Sequence, residues 1–159
     1  MRYFKDEINR YGISLRLVEE DDAEFIVSIR NDEQKKRFIS PSCTDVESQK
    51  SWLLDYKTRE RESKEYYFIA SENGVPFATY RGYPITEKIV TGGSWVTKPG
   101  YSKWLNSIKV DILMKELVFT EWGFEEARFD VRKENESVVK YHMLFNPAVI
   151  DETDLDIYF

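Results

Sequence analysis

Cysteine and histidine are almost missing from this chain: among 159 residues, Cys43 and His142 are the single representatives of each. One cysteine excludes an intrachain disulfide and a cysteine-rich metal site. One histidine leaves no basis for a histidine-bound zinc, so no metal is expected. Long apolar runs are missing too, since no stretch approaches the roughly 18 residues that a membrane-spanning helix requires. The opening residues Met1-Arg2-Tyr3-Phe4-Lys5-Asp6-Glu7 contain no apolar segment of the kind found in secretory signals. A cytoplasmic location without a membrane partner is therefore expected, and the sequon Asn135-Glu136-Ser137 reads as a chance match. Basic residues are not in excess, the formal net charge being −6. The short clusters Lys35-Lys36-Arg37 and Arg59-Glu60-Arg61 sit among acids and read as solvated helix faces, so no nucleic-acid partner is expected. P-loop, GxGxxG, nucleophile-elbow, EF-hand and HExxH patterns are all absent, which leaves kinase, dinucleotide-dependent redox, serine-hydrolase and zinc-protease chemistry without a foothold.

Aromatic residues, by contrast, are plentiful: 10 Phe, 10 Tyr and 4 Trp, enough to line a pocket as well as a core. The length suits one buried core, and neither repeats nor Pro/Gly-rich linkers interrupt it, so residues 1–159 are expected to form a single domain. Ile13 to Val18 alternates apolar and polar residues as a half-buried strand does. Glu20-Asp21-Asp22 then opens a helix carrying Phe25, Ile26 and Ile29. A second helix is expected from an N-cap at Thr44 to about Arg61. Tyr66 to Ala70 and Pro76 to Tyr83 form strands around an Asn73-Gly74 hairpin turn, followed by a strand from Ile89 to Lys98. The longest helix should run from about Ser102 to Trp122, with Ile108, Ile112, Leu113, Leu117 and Phe119 inward and Gly123 as its stop. Arg128 to Arg132 reads as one strand. A last helix, opened by Glu134-Asn135-Glu136-Ser137, should bury Val138, Val139, Tyr141 and Leu144 before a final strand from Leu155 to Phe159. The order β α α β β β α β α β is not doubly wound and implies a mixed sheet flanked by helices.

Local sequence supports a more specific reading. Leu15-Arg16-Leu17-Val18, Asp22-Ala23 and Ile29-Arg30-Asn31-Asp32 resemble the start of the ribosomal-protein-acetylating branch of the GNAT N-acetyltransferases. Gly93-Ser94-Trp95-Val96, Lys98-Pro99-Gly100 and Phe129-Asp130-Val131-Arg132-Lys133-Glu134-Asn135 resemble a bacterial subgroup associated with surface-polysaccharide and amino-sugar pathways. The resemblance implies a single-domain α+β fold with a mixed, mostly antiparallel, splayed sheet flanked by about four helices. It also implies acetyl-CoA as co-substrate, lying where two strands part, and a small-molecule amine as acceptor. The pantetheine arm would pair with backbone at Trp95 and Thr97. The pyrophosphate would sit on Ser102, Lys103, Leu105 and Asn106 at the start of the long helix, where free N–H groups and the dipole favour an anion. The glycines usual in that loop are absent here, so either the backbone still cradles phosphate, with Lys103 adding charge, or the loop has changed shape and binding is weakened.

By the same resemblance, Asn135 would contact pantetheine, and a proton donor to the departing thiolate is expected seven residues later. That position holds His142, two turns on and on the same helix face, with Tyr141 adjacent. Imidazole, with an ordinary pKa of about 6.5, suits proton exchange at neutral pH. The strand from Thr91 to Thr97 carries no carboxylate, so the general base stays unassigned. Asp130 is a remote candidate, with ion pairing to Arg128 and Arg132 as its plainer role. Trp52, Tyr80, Arg81 and Tyr83 are candidate acceptor-binding residues, since aromatic faces with an arginine suit a nucleotide-linked amino sugar. Protein N-termini, polyamines, or a ligand bound without catalysis are the alternatives, and the assembly is expected to be a monomer or homodimer.

Overall fold

The computed structural model of the chain describes residues 4, 7–84 and 86–159; residues 1–3, 5 and 6, read above for a signal segment, lie outside the described residues. Its main sheet runs β1 (Ile8–Arg10), β2 (Ile13–Leu17), β3 (Tyr66–Glu72), β4 (Val75–Pro84), β5 (Ile89–Thr97) and β6 (Glu126–Arg128) in that spatial order. Every pairing in it is antiparallel except β5 with β6. A second sheet holds β7 (Asp130–Arg132), β9 (Asp156–Tyr158) and β8 (Asp151–Glu152). Helices α1 (Ala23–Arg30) and α2 (Val46–Arg61) precede β3, α3 (Trp104–Glu116) follows β5, and α4 (Glu136–Met143) follows β7. This is the α+β arrangement expected from the sequence. No helix among the described residues is long and apolar enough to cross a membrane.

Strand β3 explains the layering. Tyr66 through Ser71 are all buried, which alternation alone cannot achieve in a sheet covered on one side. Tyr66, Phe68 and Ala70 pack with Leu15 and Phe77 under Val110, Leu113 and Met114 of α3 and Leu117 just beyond it. Tyr67 and Ile69 point the other way, into Ala23 and Ile26 of α1 and Leu53 and Tyr56 of α2. The sheet is therefore sandwiched, with α1 and α2 on one face and α3 on the other. The β3–β4 hairpin closes through Asn73 (φ 51) and Gly74 (φ 77), the two left-handed residues that a tight hairpin turn demands.

Several boundaries differ from expectation. The N-cap of α2 is Asp45, one residue beyond Thr44, and its carboxylate accepts the Ser48 N–H at 2.8 Å. A carboxylate there also meets the positive end of the helix. Helix α3 begins at Trp104, not Ser102, and passes into a π-helical turn over Leu117–Glu121 before Gly123 (φ 75) ends it. Its core stripe is Val110, Leu113, Met114 and Leu117; Ile108 and Ile112 are only half-buried, and Phe119 is exposed. On α4 Leu144 faces solvent, and His142 is the buried side chain. The short strands β1 and β8 carry too few residues for a pattern to announce them. The largest difference lies at Arg128 to Arg132. One alternating run is divided between two sheets at Phe129, whose backbone exchanges both hydrogen bonds with Phe159 at 3.0 and 2.9 Å.

A buried phenol joins α2 to the sheet: the Tyr67 N–H donates to Tyr56 Oη at 2.7 Å. Replacing Tyr56 by Phe strands that N–H away from water, a loss of about 1–3 kcal/mol in unfolding free energy. Urea denaturation should show a lower midpoint at unchanged slope, and an unmoved midpoint would show that water reaches the group.

Candidate active site

The site begins where β6 leaves β5. Strand β5 pairs with β4 along its length but with β6 only at Ile89, Thr91 and the residue between them. From Gly92 onward its second edge has no strand partner among the described residues. On the paired side, Thr79 faces Val96 and Arg81 faces Gly93, so Ser94 and Trp95 together oppose Tyr80. This β-bulge puts Ser94 at φ 50, and Thr79 Oγ1 donates to the Ser94 carbonyl at 2.8 Å. Glycine is required at 92 by close approach, because a Cβ there would lie 2.5 Å from the Tyr80 hydroxyl oxygen. A cavity of ≈ 790 Å³ opens at the fork on the α1/α2 face.

Seven of the sequence-predicted site residues line this cavity: Trp52, Tyr80, Arg81, Tyr83, Trp95, Asn135 and His142. Arg81 is not a free cation. Its guanidinium pairs with the buried Glu65 at 2.5 Å and lies 5.1 Å from the ring centres of both Trp52 and Tyr83. Arg59 shares Glu65 at 2.8 Å, so two cations and one carboxylate brace the aromatic wall. Asn135 stands at the N-cap of α4 but makes no capping bond with its side chain, which only accepts a long contact from Ser137 Oγ at 3.3 Å.

The remaining predicted residues lie outside the cavity. Thr97 Oγ1 donates to Ser107 Oγ at 3.0 Å. Lys103 is held by Glu72 at 2.7 and 2.8 Å, so it is not a free charge. Asn106 is buried, donating to Tyr101 Oη at 2.9 Å and accepting from Lys109 at 3.0 Å. Ser102 and Leu105 are exposed. The start of α3 has no side-chain cap; the Asn106 N–H bonds the Lys103 carbonyl at 2.9 Å, which leaves those of Trp104 and Leu105 as donors. Buried polar atoms also remain open at the fork: Trp95 Nε1 and His142 Nδ1 have no partner. An unpaired strand edge, an unpartnered indole N–H and an uncapped helix start together suit a long, amide-rich thioester carrier ending in phosphates.

Two carboxylates matter that sequence reasoning undervalued. Asp130 lines the cavity, and the ion pairs expected for it are made elsewhere: Arg128 binds Glu126 at 2.5 Å and Arg132 binds Asp156 at 2.8 Å. Desolvation, followed by repulsion from Asp156, holds the Asp130 carboxyl above its ordinary pKa. Asp111 of α3 is 1% exposed; it accepts from Tyr141 Oη at 2.7 Å, from Tyr80 Oη at 3.4 Å and from Lys115. An acid inside the apolar stripe of α3, one turn before a lysine, was the available signal for it. Its network ties α3 to α4 and, with desolvation, drives the Tyr141 phenol pKa upward.

His142 is 5% exposed, its ring 4.2 Å from that of Phe129 and 5.7 Å from that of Trp95. Burial lowers its pKa from 6.5 to about 4, the attraction of Asp111 offsetting only part of the penalty. At neutral pH the ring is therefore uncharged and is not the imidazolium acid that its spacing suggested. Because the unfolded chain takes up this proton first, stability should fall as pH drops from 6.5 to about 4 and then level off for this group. NMR titration of the single histidine should give a midpoint near 4 in the folded protein. A midpoint near 6.5 would mean that the ring is solvated.

No family model matches the chain, and no curated protein sequence matches it. Solved structures do. An apo nucleotide-linked sugar GNAT, FdhC, superposes with a TM-score of 0.84 at 34% identity, over 98% of this chain and 89% of that one. The ribosomal-protein-S5-alanine acetyltransferase of Vibrio fischeri gives a TM-score of 0.78 at 15% identity, covering 97% and 94% of the two chains. A ribosomal L7/L12 α-N-protein acetyltransferase, RimL, in complex with coenzyme A gives 0.77 at 10% identity, covering 96% and 95%. The last two likenesses speak for the fold alone, whereas the first, on a forked sheet whose free edge suits a thioester carrier, carries the assignment. The chain belongs to the GNAT family of acetyl-CoA-dependent N-acetyltransferases.

Proposed function

We propose that the enzyme transfers the acetyl group of acetyl-CoA to the primary amine of a nucleotide-linked amino sugar, by direct attack of the amine on the thioester. The observation that carries this reading is the aromatic-walled cavity of ≈ 790 Å³ meeting the free edge of β5 at the bulge. It is roomy enough for a sugar with a base attached, and Trp52, Tyr83 and Trp95 give it an aromatic lining. The similarity to a nucleotide-linked sugar GNAT supports the same acceptor class.

Acetyl-CoA supplies an activated acyl group, so no protein nucleophile is needed, and Cys43 is left as a wall residue. The edge of β5 from Gly92 and the start of α3 hold the carrier, and backbone N–H at the bulge polarises the thioester carbonyl. Asn135, its amide free of capping, orients the pantetheine arm. The acceptor enters as an ammonium ion, and one proton must leave before its lone pair attacks. Asp130, unpaired and raised in pKa, takes that proton directly or through water. As the tetrahedral intermediate collapses, its nitrogen gives up the second proton to the departing thiolate, directly or through water. The neutral His142 ring lies at the fork to hydrogen-bond the sulfur; the Tyr141 hydroxyl is held by Asp111.

Calorimetry should show micromolar acetyl-CoA binding by the wild type, lost in a variant carrying Ser102→Glu and Lys103→Glu. Thiol release across an amine panel should be fastest with nucleotide-linked amino sugars; faster turnover of spermidine or of peptide N-termini would reject this acceptor class. Asp130→Asn should lower kcat about 100-fold at unchanged acetyl-CoA affinity. In the wild type, kcat should also fall as pH drops through the Asp130 pKa, and that acid limb should vanish in the variant. A retained limb would remove Asp130 from the role of base.

A further inference from the structure

Three arginines stand on the walls of the acceptor cavity, and two of them have carboxylate partners. Arg81 is paired with Glu65 at 2.5 Å, and Arg132 with Asp156 at 2.8 Å. Arg30 differs. It ends α1, it is half-buried, and no carboxylate lies within ion-pair distance of it among the described residues. Its Nη2 donates to the Ser40 carbonyl at 3.2 Å, and its charge acts on the buried Tyr67 phenol. The C-terminal end of α1 contributes only about half a negative charge, which leaves the guanidinium partly uncompensated.

The segment facing Arg30 has matching character. Residues 38–43 read Phe-Ile-Ser-Pro-Ser-Cys and line the same cavity, with hydroxyls and no acid among them. The segment is anchored next to Arg30, because Asn31 Nδ2 donates both to the Cys43 carbonyl at 2.8 Å and to the Val27 carbonyl at 3.1 Å. A guanidinium held in a half-buried wall, with one donor on the Ser40 carbonyl and another on the Tyr67 phenol, still has N–H groups of its planar fork that phosphate oxygens can accept from. A polyamine brings only positive charge and gains nothing from it.

We propose that Arg30 and residues 38–43 form a phosphate-binding subsite that holds the diphosphate of a nucleoside-diphosphate-linked acceptor while its amine reaches the fork. This rests on the reading of the cavity as the acceptor site. The subsite determines substrate choice by charge: Arg30 requires an anion several bonds away from the amine, and Asp130 receives the amine itself.

UDP and dTDP serve as amine-free probes in calorimetry on the full chain. Wild type should bind at least one of them, more weakly as salt rises. Arg30→Gln retains a donor for the Ser40 carbonyl and removes the charge, so affinity should fall at least about tenfold. Arg30→Lys, a point charge without the planar fork, should fall between the two. Both variants should keep wild-type acetyl-CoA affinity and melting temperature, and if Arg30→Gln does not, Arg30→Lys decides the matter. Equal nucleotide affinity in wild type and variant overturns the subsite, as does a wild type that binds acetyl-CoA but neither nucleotide. If the wild type acetylates a nucleotide-linked amino sugar and the variant's KM is unchanged, the subsite falls while the acceptor assignment stands. If it binds acetyl-CoA but turns over only amines lacking phosphate, both fall.

Discussion

A strand pair that lasts three residues organises this molecule. Strand β6 runs parallel to β5 from Glu126 to Arg128 and then departs at Phe129, whose backbone turns to Phe159 instead. Backbone groups in a folded interior need partners, so a strand deserted by its neighbour must be satisfied by water or by a ligand. The protein keeps this edge open by giving β7 another partner, β9, and by filling the wedge with Phe129, Phe159 and His142. The bulge at Ser94 and Trp95 adds twist at the same level, so cavity, free edge and buried imidazole converge on one point. Acyl transfer needs such convergence, because donor and acceptor must be held within reach of each other in one geometry.

Charge is distributed around this point by the same economy. Removing a charge from water is costly unless a partner comes with it. Glu65 is therefore shared by Arg59 and Arg81, and Asp111 by Lys115 and two phenols. These groups brace the walls, Asp111 by tying α3 to α4 and Glu65 by locking a guanidinium between Trp52 and Tyr83. Three side chains without such partners among the described residues, Arg30, Asp130 and His142, border the cavity, where a bound molecule can supply what the protein does not. Their spread is chemically sensible: a cation toward the α1 end, a carboxylate on the departing strand, and a neutral ring at the fork.

Much of the fold was legible in the chain. A period-two run announced β2, Asn73-Gly74 announced the hairpin of β3 and β4, and acidic starts announced α1 and α2. The motifs at Gly93 to Val96 and Phe129 to Asn135 led to the family. Legibility failed where a local pattern has two tertiary solutions. Arg128 to Arg132 alternates as one strand would, and only the competing partner at Phe159 divides it. Spacing placed His142 on the face of Asn135 and suggested an acid, but spacing cannot report the burial that leaves the ring neutral. Arg81 looked free because its partner, Glu65, lies sixteen residues away, just before β3. Arg30, within a quoted motif, carried no sign of function, since an unpaired charge is defined by what does not approach it.

The sequence alone determined most of the element order, the lack of an intrachain disulfide, and the family with its thioester co-substrate. Those properties follow from local propensity, from periodicity and from which residue types are present at all. Only the tertiary structure decided which charges are spent on each other and which remain for a ligand, because pairing joins residues distant along the chain. It also decided the protonation of His142 and the opening between β5 and β7, since both depend on how much water each group loses when remote segments close around it.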